Sequence, residues 1–423
     1  MNSHRITARY WIETAFPLES AAETMAGEQS SGTFVKVPGE TEELRHRHAA
    51  RVERIDERES AAAPSLPGAK VPKGVATPVY RRAEVTLSWP LENMGPSLPN
   101  LMATVAGNLF ELQQFSGLKL LDLHLPDPFR HAYRGPAFGV AGTRRLAGVE
   151  RLPLIGTIVK PSVGLGPEET AGLVTRLVEG GIDFIKDDEL QCDGPHCPFE
   201  ARVHAVMRVL DAHADRAGRK PMFAFNLSGD LDEMRRRHDI VESAGGTCVM
   251  LSVNAVGLAG AIGLRRHARL PIHAHRNGWG IFDRSPAIGM SYIAYQKFWR
   301  LAGVDHMHVN GIRNKFCESG ESSIASAREC LRPMFDGAGR GCEIMPVFSS
   351  GQWAGQAHET YARFGSADCI YACGGGIVAH PGGIAAGVRS VRQAWEAAVE
   401  GVPLDRAAER HEELRQAMEA FGR

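Results

Sequence analysis

From about residue 152 onward the chain repeats a single pattern: a short apolar run, a loop, then a segment long enough for an amphipathic helix. The runs are LPLIGTIVK (152–160), IDFIKDDE (182–189), PMFAFNLS (221–228), TCVMLSV (247–253), LPIHAHR (270–276), VDHMHVN (304–310), EIMPVFSS (343–350) and ADCIYACGGG (367–376), eight in all. Segments such as EETAGLVTRLVEGG, FEARVHAVMRVLDAHADRAG, MSYIAYQKFWRLAG and GGIAAGVRSVRQAWEAAVEG supply the helices, and several end in Gly, a frequent helix stop. Eight successive strand-helix units close a parallel barrel of about 250 residues. An open doubly wound sheet is the competing solution, but no single GxGxxG opens the series. The expected fold class is therefore α/β, with a (β/α)8 TIM barrel over 146–402 and a C-terminal helix over 403–423.

Residues 1–145 have another texture. Ile6, Ala8, Tyr10 and Ile12 alternate like a half-buried strand, as do Ala83, Val85, Leu87 and Trp89. Glu40 to Glu59 is charge-dense and reads as a solvated face, 98–114 as a helix, 118–126 as a strand, and PDPFRHAYRGPAFG as a connection. An N-terminal α+β domain over 1–145 fits. The 48 Lys and Arg against 49 Asp and Glu give a formal charge of -1, so there is no overall bias towards nucleic acid or an anionic membrane. No stretch approaches 18 unbroken apolar residues, and MNSHRITARYWIE has no signal core. The eight cysteines all follow residue 190 without CxxC spacing, which points to reduced thiols in a cytoplasm.

In such a barrel the chemistry belongs at the C-terminal strand ends. Lys160 ends strand one; Lys186, Asp187, Asp188 and Glu189 end strand two; His273, His275 and Arg276 end strand five; His306 and His308 end strand six; Lys315 follows in GIRNKFCESGESS; Ser349, Ser350 and Gly351 end strand seven; Gly374, Gly375 and Gly376 end strand eight. Asp188 and Glu189 suit Mg²⁺, a hard cation that takes oxygen ligands. The Lys186 ammonium would repel a cation, but its neutral amine can add CO2, and a carbamate is an anionic oxygen ligand. A solvated acidic turn is the plainer reading. Arg276 and His308 offer donors to an anion, and the strand-eight glycines allow close backbone approach beside a helix start. Cys192, His196 and Cys197 lack the second ligand pair of a zinc site. Lys160 is either a buried base or a surface lysine.

With these residues in view, the chain resembles the RuBisCO large subunit, and more closely the RuBisCO-like proteins that do not fix CO2. The resemblance rests on GGIDFIKDDE and, in the family's order, GEQSSGTF, AGNLFEL, GTIVKPSVGLG, HAHR, DHMHVNGIRNK, MPVFSSG and CGGGIVAHPGG. It implies a ferredoxin-like N-terminal domain, one Mg²⁺ per active site, and a CO2-derived carbamate on Lys186 with Asp188 and Glu189 as co-ligands. Lys160 then matches the lysine near the enolising carbon, Lys315 the mobile-loop lysine, and His275 a strand-five active-site histidine. Arg276, His308 and Ser349 match one phosphate-binding set, and Thr33, Gly351, Gly374 and Gly375 the other. Positions matching Glu28, Thr33 and Asn108 reach the site from a partner subunit, which implies a homodimer with shared active sites, a small phosphorylated sugar-acid substrate, and neither nucleic acid nor membrane as partner.

The departures narrow the function. Ser162 replaces a second lysine of the family's KPK motif, Phe34 a tryptophan, and Ser350 a glycine. Loss of a cation beside the reacting carbon changes which developing charge can be stabilised, so carboxylation of ribulose bisphosphate is not expected. The resemblance implies enolate chemistry, and the polar rim at Ser162, Asn277, Asn310 and Ser350 favours a hydroxylated substrate. The expectation is a Mg²⁺-dependent carbon–carbon lyase that decarboxylates 3-oxo-isoapionate 4-phosphate. The alternatives are an enolase or isomerase of a methylthio-pentulose phosphate, a transcarboxylase/hydrolase on the same branched sugar acid, an enolase-type barrel, or a catalytically silent binding protein.

Overall fold

In the computed structural model, residues 4–32, 37–337 and 339–422 are described. Thr33 and Phe34 lie outside them. The chain forms two compact units: Met1–Tyr133 with Gly278–Leu301 and Met334–Gly341, and Arg134–Asn277 with Ala302–Pro333 and Cys342–Arg423.

The first unit carries a five-stranded sheet in the order Ile288–Met290, Phe115–His124, Arg5–Thr14, Tyr80–Pro90, Arg51–Ala61. The two alternating segments of the sequence are neighbours: Ile6 lies opposite Trp89, Ala8 opposite Leu87, Tyr10 opposite Val85 and Ile12 opposite Ala83, and all eight are buried. A single apolar face is thereby assembled from period-two alternation, which also fixes the register. Helices Leu18–Glu28 and Leu98–Ala106 bury Leu18, Met25, Leu101 and Val105, and the Tyr10 hydroxyl donates to the Val105 carbonyl at 2.7 Å. Strand–helix–strand–strand–helix–strand, with the four antiparallel strands ordered 4-1-3-2, is the ferredoxin-like arrangement.

Local details differ from the sequence reading, among them the helix expected over 403–423, which is two, Leu404–Arg410 and Glu412–Phe421. The charge-dense stretch is exposed as expected, but it is helix Glu42–His48 followed by the edge strand Arg51–Ala61. Pairing with Tyr80–Pro90 overrides its low strand propensity, and charge on an edge opposes further strand addition. The 98–114 helix ends at Ala106 and continues as a 3-10 turn, Asn108–Glu111. Helix Tyr292–Ala302, expected as a barrel crossover, falls almost wholly in the first unit, where Tyr295 packs 4.5 Å from Trp279 and 5.8 Å from Phe282 between ring centroids, and Lys297 pairs with Asp122 at 2.6 Å.

The second unit is a closed parallel barrel of eight strands in sequence order: Leu154–Ile158, Phe184–Lys186, Met222–Asn226, Cys248–Ser252, Ile272–His275, His306–Asn310, Met345–Ser349 and Ile370–Ala372. Each lies within one of the eight apolar runs. Its core includes Leu154, Phe184, Met222, Met250, Met345, Val347 and Ile370, so the barrel is filled with side chains rather than hollow. Gly156 is needed there: a Cβ would lie 3.0 Å from Ile370 and 3.3 Å from Phe184. Two buried acids brace the residues just before strands two and six. Asp183 accepts from the Ile155 N–H at 2.9 Å and pairs with Arg392 at 2.8 Å. Asp305 accepts from the Phe138, Gly139 and Ile272 N–H groups at 2.6, 3.0 and 2.9 Å. Polar pairing at that end leaves the opposite strand ends free to carry chemistry.

Candidate active site

Strand two ends in the densest cluster. Lys186 is fully buried; its ammonium donates to the Asp187 carbonyl at 2.7 Å and lies 3.5 Å from a Glu189 oxygen. Burial lowers its pKa, against the pull of Glu189, Asp188 and Asp187. Lys160 reaches across from strand one and donates to Asp188 at 2.6 Å and to Ser162 at 2.7 Å. His275, from strand five, places Nε2 3.4 Å from Glu189. Two contact sets, Lys160 with Asp188 and Lys186 with Glu189 and His275, therefore meet at the adjacent residues Asp188 and Glu189.

Asp187 is excluded from both sets. It turns outward to Arg202, with which it forms a fully buried ion pair at 3.1 Å, and accepts from the Asn226 N–H at 2.9 Å. Asn226, the last residue of strand three, shapes the acidic loop: its Nδ2 donates to the carbonyls of Asp188, Glu189 and Gln191 at 3.5, 3.4 and 3.2 Å. Its Oδ1 accepts from the Ser228 N–H and hydroxyl. Sequence reasoning passed over Asn226 and Arg202; a polar residue ending an otherwise apolar FAFN run was the available signal for the first.

Strands five to seven build a second corner. His273 and His308 are bonded Nε2 to Nε2 at 2.8 Å, and His308 Nδ1 meets the Ser349 hydroxyl at 3.0 Å. Arg276 donates to the His308 carbonyl at 2.8 Å, and its guanidinium lies 3.5 Å from Glu318. Burial holds His273, His275 and His308 well below the usual imidazole range and His306 at about 3, so these rings are neutral near pH 7. His306 faces Thr143 at 2.8 Å and serves packing.

The remaining positions are more dispersed. Lys315 is exposed, its ammonium 5.3 Å from the Phe316 ring centre, while its N–H donates to the Ser350 carbonyl at 3.2 Å. Gly351 has φ +86°, and a Cβ at Gly375 would meet nothing within 4 Å, which leaves room for a ligand beside the single turn Gly375–Val378. Gly374 precedes that turn. Glu28 and Asn108 are exposed residues of the first unit. Cys192, His196 and Cys197 do not converge: they contact the Ser228 carbonyl, the Gly164 carbonyl and Arg202 respectively. Among the described residues, the three-residue His/Cys/Asp/Glu group with metal-like spacing is His238, Asp239 and His267. There His238 Nε2 accepts the Arg269 N–H at 3.1 Å, so Nδ1 keeps its proton towards Asp239 and is no metal ligand.

The sequence profile described as ribulose bisphosphate carboxylase large chain, catalytic domain, matches residues 139–421, and the N-terminal domain profile matches residues 2–129. A 3-oxo-isoapionate-4-phosphate transcarboxylase/hydrolase of Xanthobacter autotrophicus is 58% identical over 98% of this chain and 99% of its own. A 3-oxo-isoapionate-4-phosphate decarboxylase of Rhizobium etli is 48% identical over 98% of each chain. The crystal structure of a rubisco-like protein from Burkholderia fungorum superposes with a TM-score of 0.91 at 48% identity, covering 99% of this chain and 100% of that one.

Proposed function

We propose, from the premise that this chain belongs to the ribulose bisphosphate carboxylase large-chain family, that it is a RuBisCO-like enzyme which decarboxylates 3-oxo-isoapionate 4-phosphate. The observation that carries the reading is the pair of contact sets, Lys160 with Asp188 and Lys186 with Glu189 and His275, meeting at adjacent acids at one barrel end. Family members use Mg²⁺ and a lysine carbamate. The donor set fits: Asp188 and Glu189 offer hard oxygens, and CO2 adds to a neutral amine, which burial favours at Lys186. When bound there, Mg²⁺ supplies the positive charge that offsets a developing enolate oxygen.

Loss of CO2 breaks the bond between the carboxylate and the carbon next to the ketone, and the electron pair moves into the enolate. Lys160, held by Asp188 and Ser162, returns a proton to that carbon in this reading and regains one from solvent. His275, neutral and anchored beside Glu189 and Asn277, orients substrate oxygens without adding charge. Ser162, Asn277, Asn310 and Ser350 supply the polar rim for substrate hydroxyls, Lys315 with Gly351, Gly374 and Gly375 supports an anionic group, and Arg276, His308 and Ser349 hold the other end.

Purified protein given 3-oxo-isoapionate 4-phosphate and Mg²⁺ is expected to release one CO2 per substrate consumed. A second reading has specific support: the 58% identical relative bears the name transcarboxylase/hydrolase. In that case label from the substrate carboxyl stays in an organic product. No turnover of this substrate, alongside turnover of a methylthio sugar phosphate, would overturn both. We further propose a homodimer with sites completed by Glu28, Thr33 and Asn108 of the partner. A cytoplasmic location is supported by eight free thiols and by the absence, among the described residues, of a helix able to cross a membrane.

A further inference from the structure

Glu318 sits at the Arg276 corner, and nothing in the reading above uses it. It lies in the loop after strand six, and its side chain is 9% exposed. One carboxylate oxygen accepts from Asn310 Nδ2 at 2.6 Å and lies 3.5 Å from the Arg276 guanidinium; the other accepts from the Ser322 hydroxyl at 2.8 Å. Asn310 in turn accepts from the Ser350 hydroxyl at 2.7 Å, and Ser350 adopts φ +71°, rare for a residue with a side chain. Arg276, Glu318, Asn310 and Ser350 are thus one ordered network, and Arg276 meets any incoming ligand with a carboxylate already beside it.

That pairing decides what the corner accepts. A carboxylate only accepts hydrogen bonds, so a group seated between Arg276 and Glu318 has to accept from one and donate to the other. A hydroxyl does both. A phosphate dianion has no proton to offer and would bring its charge beside another anion in a site screened from water, where like charges repel most strongly. We infer that Glu318 is a specificity-determining residue which makes the Arg276 corner a seat for the hydroxyl-bearing, unphosphorylated end of a sugar monophosphate and excludes a second phosphate. The inference rests on the proposed function in taking a singly phosphorylated substrate, and it assigns the single phosphate to the Gly374–Gly375 side.

The test is direct binding, independent of turnover, with ribulose 5-phosphate and ribulose 1,5-bisphosphate as probes on the full-length protein in Mg²⁺ and bicarbonate. Wild type is expected to bind the bisphosphate no more tightly than the monophosphate. Glu318→Gln keeps the shape and the Asn310 contact but removes the charge; it is expected to tighten bisphosphate binding about tenfold while moving the monophosphate less than about threefold. Glu318→Ala is read the same way, with melting curves to confirm folding. A wild type that prefers the bisphosphate tenfold or more overturns the inference whatever the variants do, as does a bisphosphate-to-monophosphate ratio unchanged in folded variants. Failure of the decarboxylase reading shows separately, as absent CO2 release with this binding preference intact.

Discussion

In the proposed reading Lys186 is the residue on which the chemistry turns, because only a modified amine would convert a repulsive cation into a third oxygen ligand beside Asp188 and Glu189. Lys186→Ala should lower metal-dependent turnover by more than about 100-fold while circular dichroism remains that of the wild type; a variant retaining a tenth of the activity would exclude the carbamate role. Asn226→Ala tests the support of the acidic loop: metal affinity should weaken by about 10- to 100-fold with the fold preserved, measured by metal titration of the purified protein. The buried imidazoles predict a pH dependence. His273, His275, His306 and His308 stay neutral when folded, but each takes up a proton in the unfolded chain below about pH 6.5, so stability is lost as pH falls. The slope rises from about 0.7 towards about 1.4 kcal/mol per pH unit for each ring between pH 6.5 and 5, read from denaturant midpoints, and His306→Gln should flatten it by one proton's share. At this scale the sequence was legible where a residue type has few alternative uses, as with the Lys-Asp-Asp-Glu run. It was silent on Asn226, Arg202 and Glu318, whose roles depend on contacts 8 to 42 positions away.

The elements were read more easily than the residues. An apolar run followed by a helix-length segment has one economical solution when repeated eight times, and each run holds a barrel strand. Tertiary pairing produced what periodicity could not reveal: the charged edge strand Arg51–Ala61 has no apolar alternation, and Ile288–Met290 is too short to stand out. The loop after strand two depends on a helix in the same way. Arg202, on Phe199–Ala217, neutralises Asp187 beneath the acidic pair. Arg202→Met leaves a buried carboxylate unpaired and should cost about 3–5 kcal/mol in chemical denaturation; adding Asp187→Leu should restore most of it. A double variant no more stable than Arg202→Met would refute that account.

At the scale of the molecule, the proposed shared active sites make a prediction no single chain can satisfy. Lys186→Ala and Asn108→Ala should each be inactive alone, yet mixing them in equal amounts under conditions of subunit exchange should recover roughly a quarter of wild-type activity, because half the dimers are mixed and each carries one intact site. No recovery, with exchange confirmed by tagged subunits, would place each site within one chain. The barrel also divides its work along its axis. Leu154, Phe184, Met222, Met345 and Ile370 belong to the packed core, while Ser162, Asn277, Asn310 and Ser350 sit where the strands give way to loops. Randomising Ser162 and Asn277, which stand outside the Glu318 network, should therefore leave expression untouched, so the scaffold can be taught new sugar acids by editing its upper edge alone.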